Sequence, residues 1–183
     1  MTGNPMKFNN KVLLTIVPSV FVLDQLTKLA ILKLVELGDR IPVIPGFFDI
    51  VHFRNTGAAF GMFSDAHHSF RVPFFYAVAV VAIVAIAFFY RSLPEREKLM
   101  PVAFSLVLAG IAGNVLDRIF LGSVVDFLSF HLGDAALDFT LFGARKHIPL
   151  EWPAFNVADS AITVAMGLLI WSIVREGRRK GGA

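Results

Sequence analysis

Four long apolar segments are the feature that most constrains this chain. They cover about residues 12–34, 72–90, 99–119 and 157–174, and each is about 18 to 23 residues long. A helix rises about 1.5 Å per residue, so roughly 20 apolar residues cross a hydrocarbon core about 30 Å thick. The sequence therefore predicts an all-α membrane protein with four transmembrane helices, folded as a single domain over residues 1–183.

The composition supports a membrane protein. Hydrophobic residues make up 56% of the chain and charged residues 17%, whereas soluble proteins have about 25% charged residues. The formal net charge of +3 could indicate nucleic acid, but the basic residues concentrate in short connections and at the tail, which is typical of membrane topology. We therefore expect no nucleic-acid partner. The absence of cysteine excludes disulfides and thiolate catalysis.

The first apolar segment follows Lys7 and Lys11, as the apolar core of a secretory signal peptide would. Its run is longer than such a core, contains Asp24 and Lys28, and lacks a convincing cleavage site of small residues. We expect it to be a retained first span.

Positive charge predicts the orientation in the membrane. Four spans put both termini on one side, and the short segments 1–11, 91–98 and 175–183 are dense in lysine and arginine. The long connections, about 35–71 and 120–156, hold far fewer basic residues for their length. The positive-inside rule then places both termini in the cytoplasm and the two long loops outside.

Polar side chains concentrate where the segments reach the outer face. Ionisable groups at membrane depth are costly unless paired or hydrated, so they are functional candidates. The candidates are Asp24, Lys28, Asn55, Asn114, Asp117, Arg118, Asp126, Asn156 and Asp159.

Several of these residues also have a structural interpretation. Asp24 and Lys28 are four residues apart on the first segment, which is the spacing of a helical ion pair. Asp117 can brace the end of the third segment, and Arg118 can extend its charge to the lipid headgroups.

Asp126 and Asp159 are the candidates for catalysis. Asn156 can cap the fourth helix, with Asp159 stabilised in its first turn by the helix dipole. Asp126, in the apolar stretch VVDF, has no such local explanation. The two carboxylates approach the same depth from different segments, and a pair that shares one proton can act as base and acid around a water molecule.

Two other function classes remain open. The same charges would serve a small transporter or channel as a proton or ion relay, although four spans without a repeat are few for a secondary transporter. Alternatively, they would serve only packing in a structural assembly factor. The histidines are scattered over the outer loops without a helical metal motif, so we expect no metal and no other cofactor.

Five motifs in order along nearly the whole chain resemble the lipoprotein signal peptidase family, also called signal peptidase II. They are DQLTK at 24–28, FRNTGAAFG at 53–61, GNVLDR at 113–118, VVDF at 124–127 and FNVADS at 155–160. The resemblance implies an aspartic endopeptidase of the bacterial inner membrane. Its substrates would be diacylglyceryl-modified prolipoproteins, cut before the lipidated lipobox cysteine.

The resemblance also implies roles for residues. Asp126 and Asp159 match the catalytic pair, in which acid and base cannot be assigned because a coupled pair titrates as a unit. Positions that bind substrate are matched by Asn55, Asn114, Arg118 and Asn156. Positions that support the site are matched by Asp24, Lys28, Gly57 and Asp117.

The family fold implies a small extracytoplasmic β-cradle on the bilayer, which suits residues 41–61, and a periplasmic loop. A monomer that contacts membrane lipids and binds the family's globomycin-type inhibitors is expected, with its active site near the periplasmic face. One stretch departs from the family pattern. Residues 128–152 look like an expanded loop, which leaves the motifs intact and changes only the region expected to cover the site.

Overall fold

The structure is a computed structural model that describes residues 8–57, 67–94, 97–141 and 144–181. Within these residues it contains four helices and four strands. In chain order they are α1 (Phe8–Leu34), β1 (Arg40–Ile44), β2 (Phe48–Asn55), α2 (His68–Arg91), α3 (Leu99–Leu121), β3 (Val124–Leu141), β4 (Ala144–Phe155) and α4 (Val157–Gly181).

These elements form two compact units. The helical unit contains α1 as far as Thr27 together with α2, α3 and α4. The sheet unit contains the end of α1 from Lys28 and all four strands. The expectation of a single domain therefore stays a prediction.

All four helices are long and apolar enough to cross a membrane, which confirms the four predicted spans. Only 6% to 33% of the residues in the most apolar window of each helix are buried inside the protein. Exposed leucine, valine, isoleucine and phenylalanine side chains therefore cover the helices, as expected for helices surrounded by lipid. The protein is a multi-pass membrane protein.

Helix α3 packs against α4 through glycine. A Cβ atom at Gly110 would lie 2.6 Å from the carbonyl oxygen of Ala158, and one at Gly113 would overlap the carboxylate of Asp24. Small residues at such positions let helix backbones approach closely, and this packing is a main source of helix association in lipid. The GNVLDR motif thus begins at a position where α1, α3 and α4 meet.

The four strands form one antiparallel sheet in the order β1-β2-β3-β4. The fold is therefore not purely all-α, and the region expected to be an expanded loop contains strands, since residues 128–141 lie in β3 and residues 144–152 lie in β4. Leu137 of β3 pairs with Ile148 of β4, but the register shifts between His131 and Ala136. That shift interrupts the period of two that identifies a strand in a sequence.

The cradle was expected over residues 41–61, of which 58–61 lie outside the described residues, and the described part forms the antiparallel strand pair β1 and β2. A turn with Gly46 at φ 77° joins them, and the N–H of Phe47 donates to the carbonyl oxygen of Ile44 at 3.0 Å. Its location on a bilayer, and so its role as a cradle, stays a prediction.

One arginine connects all four strands. Arg40 of β1 donates to Asp49 of β2 at 2.7 Å and to Ser129 of β3 at 3.3 Å, and its other terminal nitrogen binds Glu151 of β4. His131 also lies against Asp49, with Nε2 3.0 Å from Oδ2. Although burial raises the pKa of Glu151, the hydrogen bonds from Arg40 and Ser129 outweigh it and hold that pKa below its usual value.

Candidate active site

Asp126 lies on β3 in the sheet unit, and it is 3% exposed. Its two carboxylate oxygens accept hydrogen bonds from two different asparagines. Asn55 Nδ2 of β2 donates to Oδ2 at 3.0 Å, and Asn156 Nδ2 donates to Oδ1 at 2.8 Å. Amide donors replace the water that the buried carboxylate has lost and fix both of its oxygens in space.

Each of these asparagines is itself held in place. The side-chain oxygen of Asn55 accepts from the backbone N–H of Gly57 at 2.9 Å, so the FRNTG motif closes a short turn around the asparagine. Asn156 is completely buried, and its Nδ2 also lies 3.3 Å from the carbonyl oxygen of Val125. The Asn156 side chain thus binds β3, whereas the sequence had suggested a cap for α4.

Asp159 lies in the first turn of α4 in the helical unit and is half-buried. Its Oδ1 accepts from Nδ2 of Asn114 on α3 at 2.8 Å. The N-terminal end of a helix also stabilises negative charge, because its backbone N–H groups point outward. Asp159 therefore has an amide partner and a favourable dipole, and part of its surface stays accessible.

Asp24 supplies the cap that α4 needs. Its carboxylate, on α1, accepts from the backbone N–H of Ala158 at 2.9 Å. Nε2 of the adjacent Gln25 lies 3.0 Å from Asp24 Oδ2 and 3.3 Å from Asp117 Oδ1. One glutamine side chain therefore lies between two buried carboxylates, one in the middle of α1 and one near the end of α3.

Arg118 is restrained on both sides. Its Nη1 donates to the carbonyl oxygen of Asn114 one turn earlier at 3.2 Å, and its guanidinium lies 4.3 Å from the ring centre of Phe75. A cation over an aromatic face is attracted to the ring quadrupole. The side chain is half-buried against its own helix and α2.

The predicted site residues thus fall into two groups. The structure brings Asp126 together with Asn55 and Asn156, and brings Asp159 together with Asn114. The pairing of Asp126 with Asp159 stays a prediction, because the two lie in different units.

Two contributors were not identified from the sequence. Gln25 lies inside the DQLTK motif and Gly113 opens GNVLDR, yet neither had been given a role. Their position inside those motifs was the one sequence signal for a role at the site. The residues that Gln25 and Gly113 contact lie far from them in the sequence. Lys28 is 2% exposed, and its support role stays a prediction.

Within the described residues, no group of three or more histidine, aspartate or glutamate side chains could hold a metal ion. His52 contacts the carbonyl oxygen of Val35 through Nδ1 at 2.8 Å, and His131 faces Asp49. These histidines have protein partners in the sheet unit, and the chemistry available to the candidate site is that of carboxylates, amides and one guanidinium.

The comparison with known proteins shows the family of this chain. Residues 16–175 match the family described as signal peptidase (SPase) II. A lipoprotein signal peptidase of Syntrophotalea carbinolica is 43% identical over 92% of this chain and 94% of the relative. One from Geobacter metallireducens is 40% identical over 96% of this chain and 98% of the relative.

The chain belongs to the signal peptidase II family. This confirms the resemblance carried by the five motifs and makes the protein a membrane peptidase, that is, a hydrolase. Two solved structures described as bacterial membrane enzymes have a similar fold. One has a TM-score of 0.75 at 32% identity over 94% of this chain and 93% of its own, and the other 0.67 at 30% over 91% and 94%.

Proposed function

We propose that this signal peptidase removes the signal peptide from lipid-modified bacterial prolipoproteins, cutting before the diacylglyceryl-modified cysteine. The curated relatives carry the name lipoprotein signal peptidase. The observation that carries the proposal is the amide partner of each motif aspartate. Asn55 and Asn156 bind Asp126, and Asn114 binds Asp159. Orientation of both carboxylates by neutral donors suits a pair that must exchange protons without losing its geometry.

In this mechanism Asp126 and Asp159 act together on one water molecule. One carboxylate accepts a proton from the water as the water oxygen attacks the scissile carbonyl carbon, and the other, protonated, donates to the carbonyl oxygen. The tetrahedral intermediate then collapses. The first carboxyl group gives its proton to the leaving nitrogen as the C–N bond breaks, and the second takes back the hydroxyl proton as the carbonyl reforms. The asparagines do not titrate, so their hydrogen bonds persist through both proton transfers. The dyad makes the enzyme an aspartic peptidase and requires no cofactor.

Arg118 and Asn114 are proposed to hold the substrate backbone. A guanidinium is planar and permanently charged, and its donors match fixed carbonyl acceptors. The contacts with Phe75 and with the Asn114 carbonyl restrict the side chain before a substrate arrives. Because the Arg118 side chain is already restricted, it loses less conformational entropy when a substrate binds.

The proposed setting is the bacterial inner membrane, with both termini cytoplasmic and the active site near the periplasmic face. The signal helix of the prolipoprotein would then span the bilayer and present the cleavage point at headgroup level. The acyl chains on the modified cysteine would remain in the lipid. The β1–β2 pair would lie on the bilayer as the cradle. The enzyme would work as a monomer and bind globomycin-type inhibitors.

The deciding experiment measures cleavage of a diacylglyceryl-modified prolipoprotein by purified protein in lipid nanodiscs. Asp126→Asn and Asp159→Asn should each reduce turnover by at least about 100-fold, the usual scale for losing a general acid or base. Asp39→Asn is the matched control, because it makes the same change at an exposed position of the sheet unit. It should cleave as the wild type does.

Turnover above a few per cent of wild type in either dyad variant would argue against the pair. Absence of cleavage by the wild type would argue against diacylglyceryl-modified prolipoproteins as the substrate.

A further inference from the structure

The C-terminal part of α4 carries a stripe of side chains that the proposed catalysis does not use. Trp171, Val174, Arg175 and Arg178 line a groove of ≈260 Å³. Their spacing of three, four and seven residues puts them on one face of the helix. Trp171 is 61% exposed and Val174 45% exposed, and both arginines are exposed. The groove therefore opens to the surroundings of the protein.

The position of the stripe along the helix indicates what those surroundings are. Trp171 lies about 21 Å and Arg178 about 31 Å from Val157 at 1.5 Å per residue. Since the hydrocarbon core is about 30 Å thick, a span that starts near Val157 places the arginines at the headgroups of the far face. Trp171 then lies about 9 Å below that boundary, among the upper methylenes of the acyl chains.

We infer that this groove binds the phosphate and upper acyl region of an anionic diacyl phospholipid. Two guanidinium groups one turn apart provide bidentate donors for a phosphate. Trp171 and Val174 provide the apolar surface below them for the glycerol and first methylenes. The dipole at this end of α4 is negative and opposes an anion, so the arginine side chains supply the attraction.

Charge complementarity favours this occupant over a zwitterionic lipid. Phosphatidylcholine has the same phosphate but carries its own cation, which competes with the arginines for it. Each basic side chain near an anionic lipid surface favours association by about fivefold. The loss of both arginines should therefore remove most of the preference for phosphatidylglycerol over phosphatidylcholine.

The test is native mass spectrometry of the full-length protein with equimolar phosphatidylglycerol and phosphatidylcholine of the same acyl chains. The wild type should retain phosphatidylglycerol preferentially, and Arg175→Gln and Arg178→Gln should each lower that preference by about fivefold. Trp171→Leu should weaken retention of both lipids. Arg91→Gln is the matched control, since Arg91 is an exposed arginine at the end of α2 and lines no part of the groove.

Three outcomes would overturn the inference. The first is an unchanged lipid preference in the Arg175→Gln/Arg178→Gln double variant. The second is an equal loss in Arg91→Gln, which would show diffuse attraction rather than a site. The third is displacement of the lipid by millimolar inorganic phosphate, which would show a site for a free anion.

Folding and catalysis are measured separately. The double variant should match the wild type in thermal stability in lipid-free detergent, because both arginines are exposed. It should also cleave prolipoprotein normally in phosphatidylcholine nanodiscs. The inferred lipid site can thus be refuted without refuting the proposed peptidase activity, and the peptidase activity can be refuted without refuting the lipid site.

Discussion

The carboxylate of Asp24 accepts a hydrogen bond from the backbone N–H of Ala158 at 2.9 Å, across 134 residues of sequence. The first N–H groups of a helix have no partner within it, and in lipid water cannot replace one. A side chain from α1 therefore satisfies the start of α4, one residue before Asp159. The conformation that presents Asp159 depends on a residue near the other end of the chain.

Gly113 makes this contact possible, and its replacement should be costly. A Cβ atom there would overlap Asp24 Oδ2, so Gly113→Ala should destabilise the protein by about 1 to 3 kcal/mol. Gly167→Ala, in α4, is the matched control, because a Cβ there meets nothing within 4 Å. It should be neutral or stabilising by up to about 1 kcal/mol. Thermal unfolding in detergent distinguishes them, and equal midpoints would refute the close packing.

Arg118 and Asp117 are adjacent but should respond differently. Arg118→Lys keeps the charge and loses the planar set of donors, so cleavage should fall by about tenfold or more while folding stays normal. Asp117 is buried and accepts from Gln25. Asp117→Asn should give less folded protein with near-normal activity per folded molecule.

Single-turnover cleavage measured alongside thermal stability separates these two effects. A fully active Arg118→Lys variant would mean that this side chain only reaches toward the headgroups, and its substrate role would have to be abandoned.

Acid should weaken the sheet unit through Glu151. The hydrogen bonds from Arg40 and Ser129 outweigh the effect of burial and lower the pKa of Glu151 from its ordinary 4.5. A lowered carboxyl pKa contributes stability that is fully present above pH 4.5 and is lost as pH falls through the lower folded-state value. Glu151→Gln should remove this acid dependence from the thermal midpoint, measured between pH 7 and pH 3.

Glu36→Gln is the control for that series, since Glu36 is an exposed glutamate of the same unit. It should leave the acid dependence intact. If it flattens the curve as much as Glu151→Gln does, the effect comes from net charge and not from the Arg40 contacts.

The orientation in the membrane can be tested with reporters. A reporter fused after Lys180 should be active only in the cytoplasm, and one inserted near Gly143 only outside, because the short basic segments favour the cytoplasm. The reverse pattern would refute both the orientation and the proposed periplasmic active site.

The helices were predictable because a spanning helix needs only length and apolar composition, which are local properties. The extent and register of β3 and β4 were not, because a register shift interrupts the alternation and the stabilising partners lie on other strands. The motifs identified Asp126, Asp159 and their asparagines as a set. They could not show that Asn156 binds Asp126 while Asp24 caps α4, since both contacts join residues that are far apart in the sequence.

The contacts of Arg40 also impose an order on biogenesis. Glu151 is 111 residues further along the chain than Arg40, and the segments that form α2 and α3 are synthesised between them. The ribosome must therefore deliver two further spans to the membrane before β1 can find its last partner. Until then Asp49, from the adjacent strand, is the carboxylate available to this arginine. The sheet would therefore be completed late in synthesis. Any delay in inserting α3 would prolong the time during which β1 and β2 expose an unpaired strand edge.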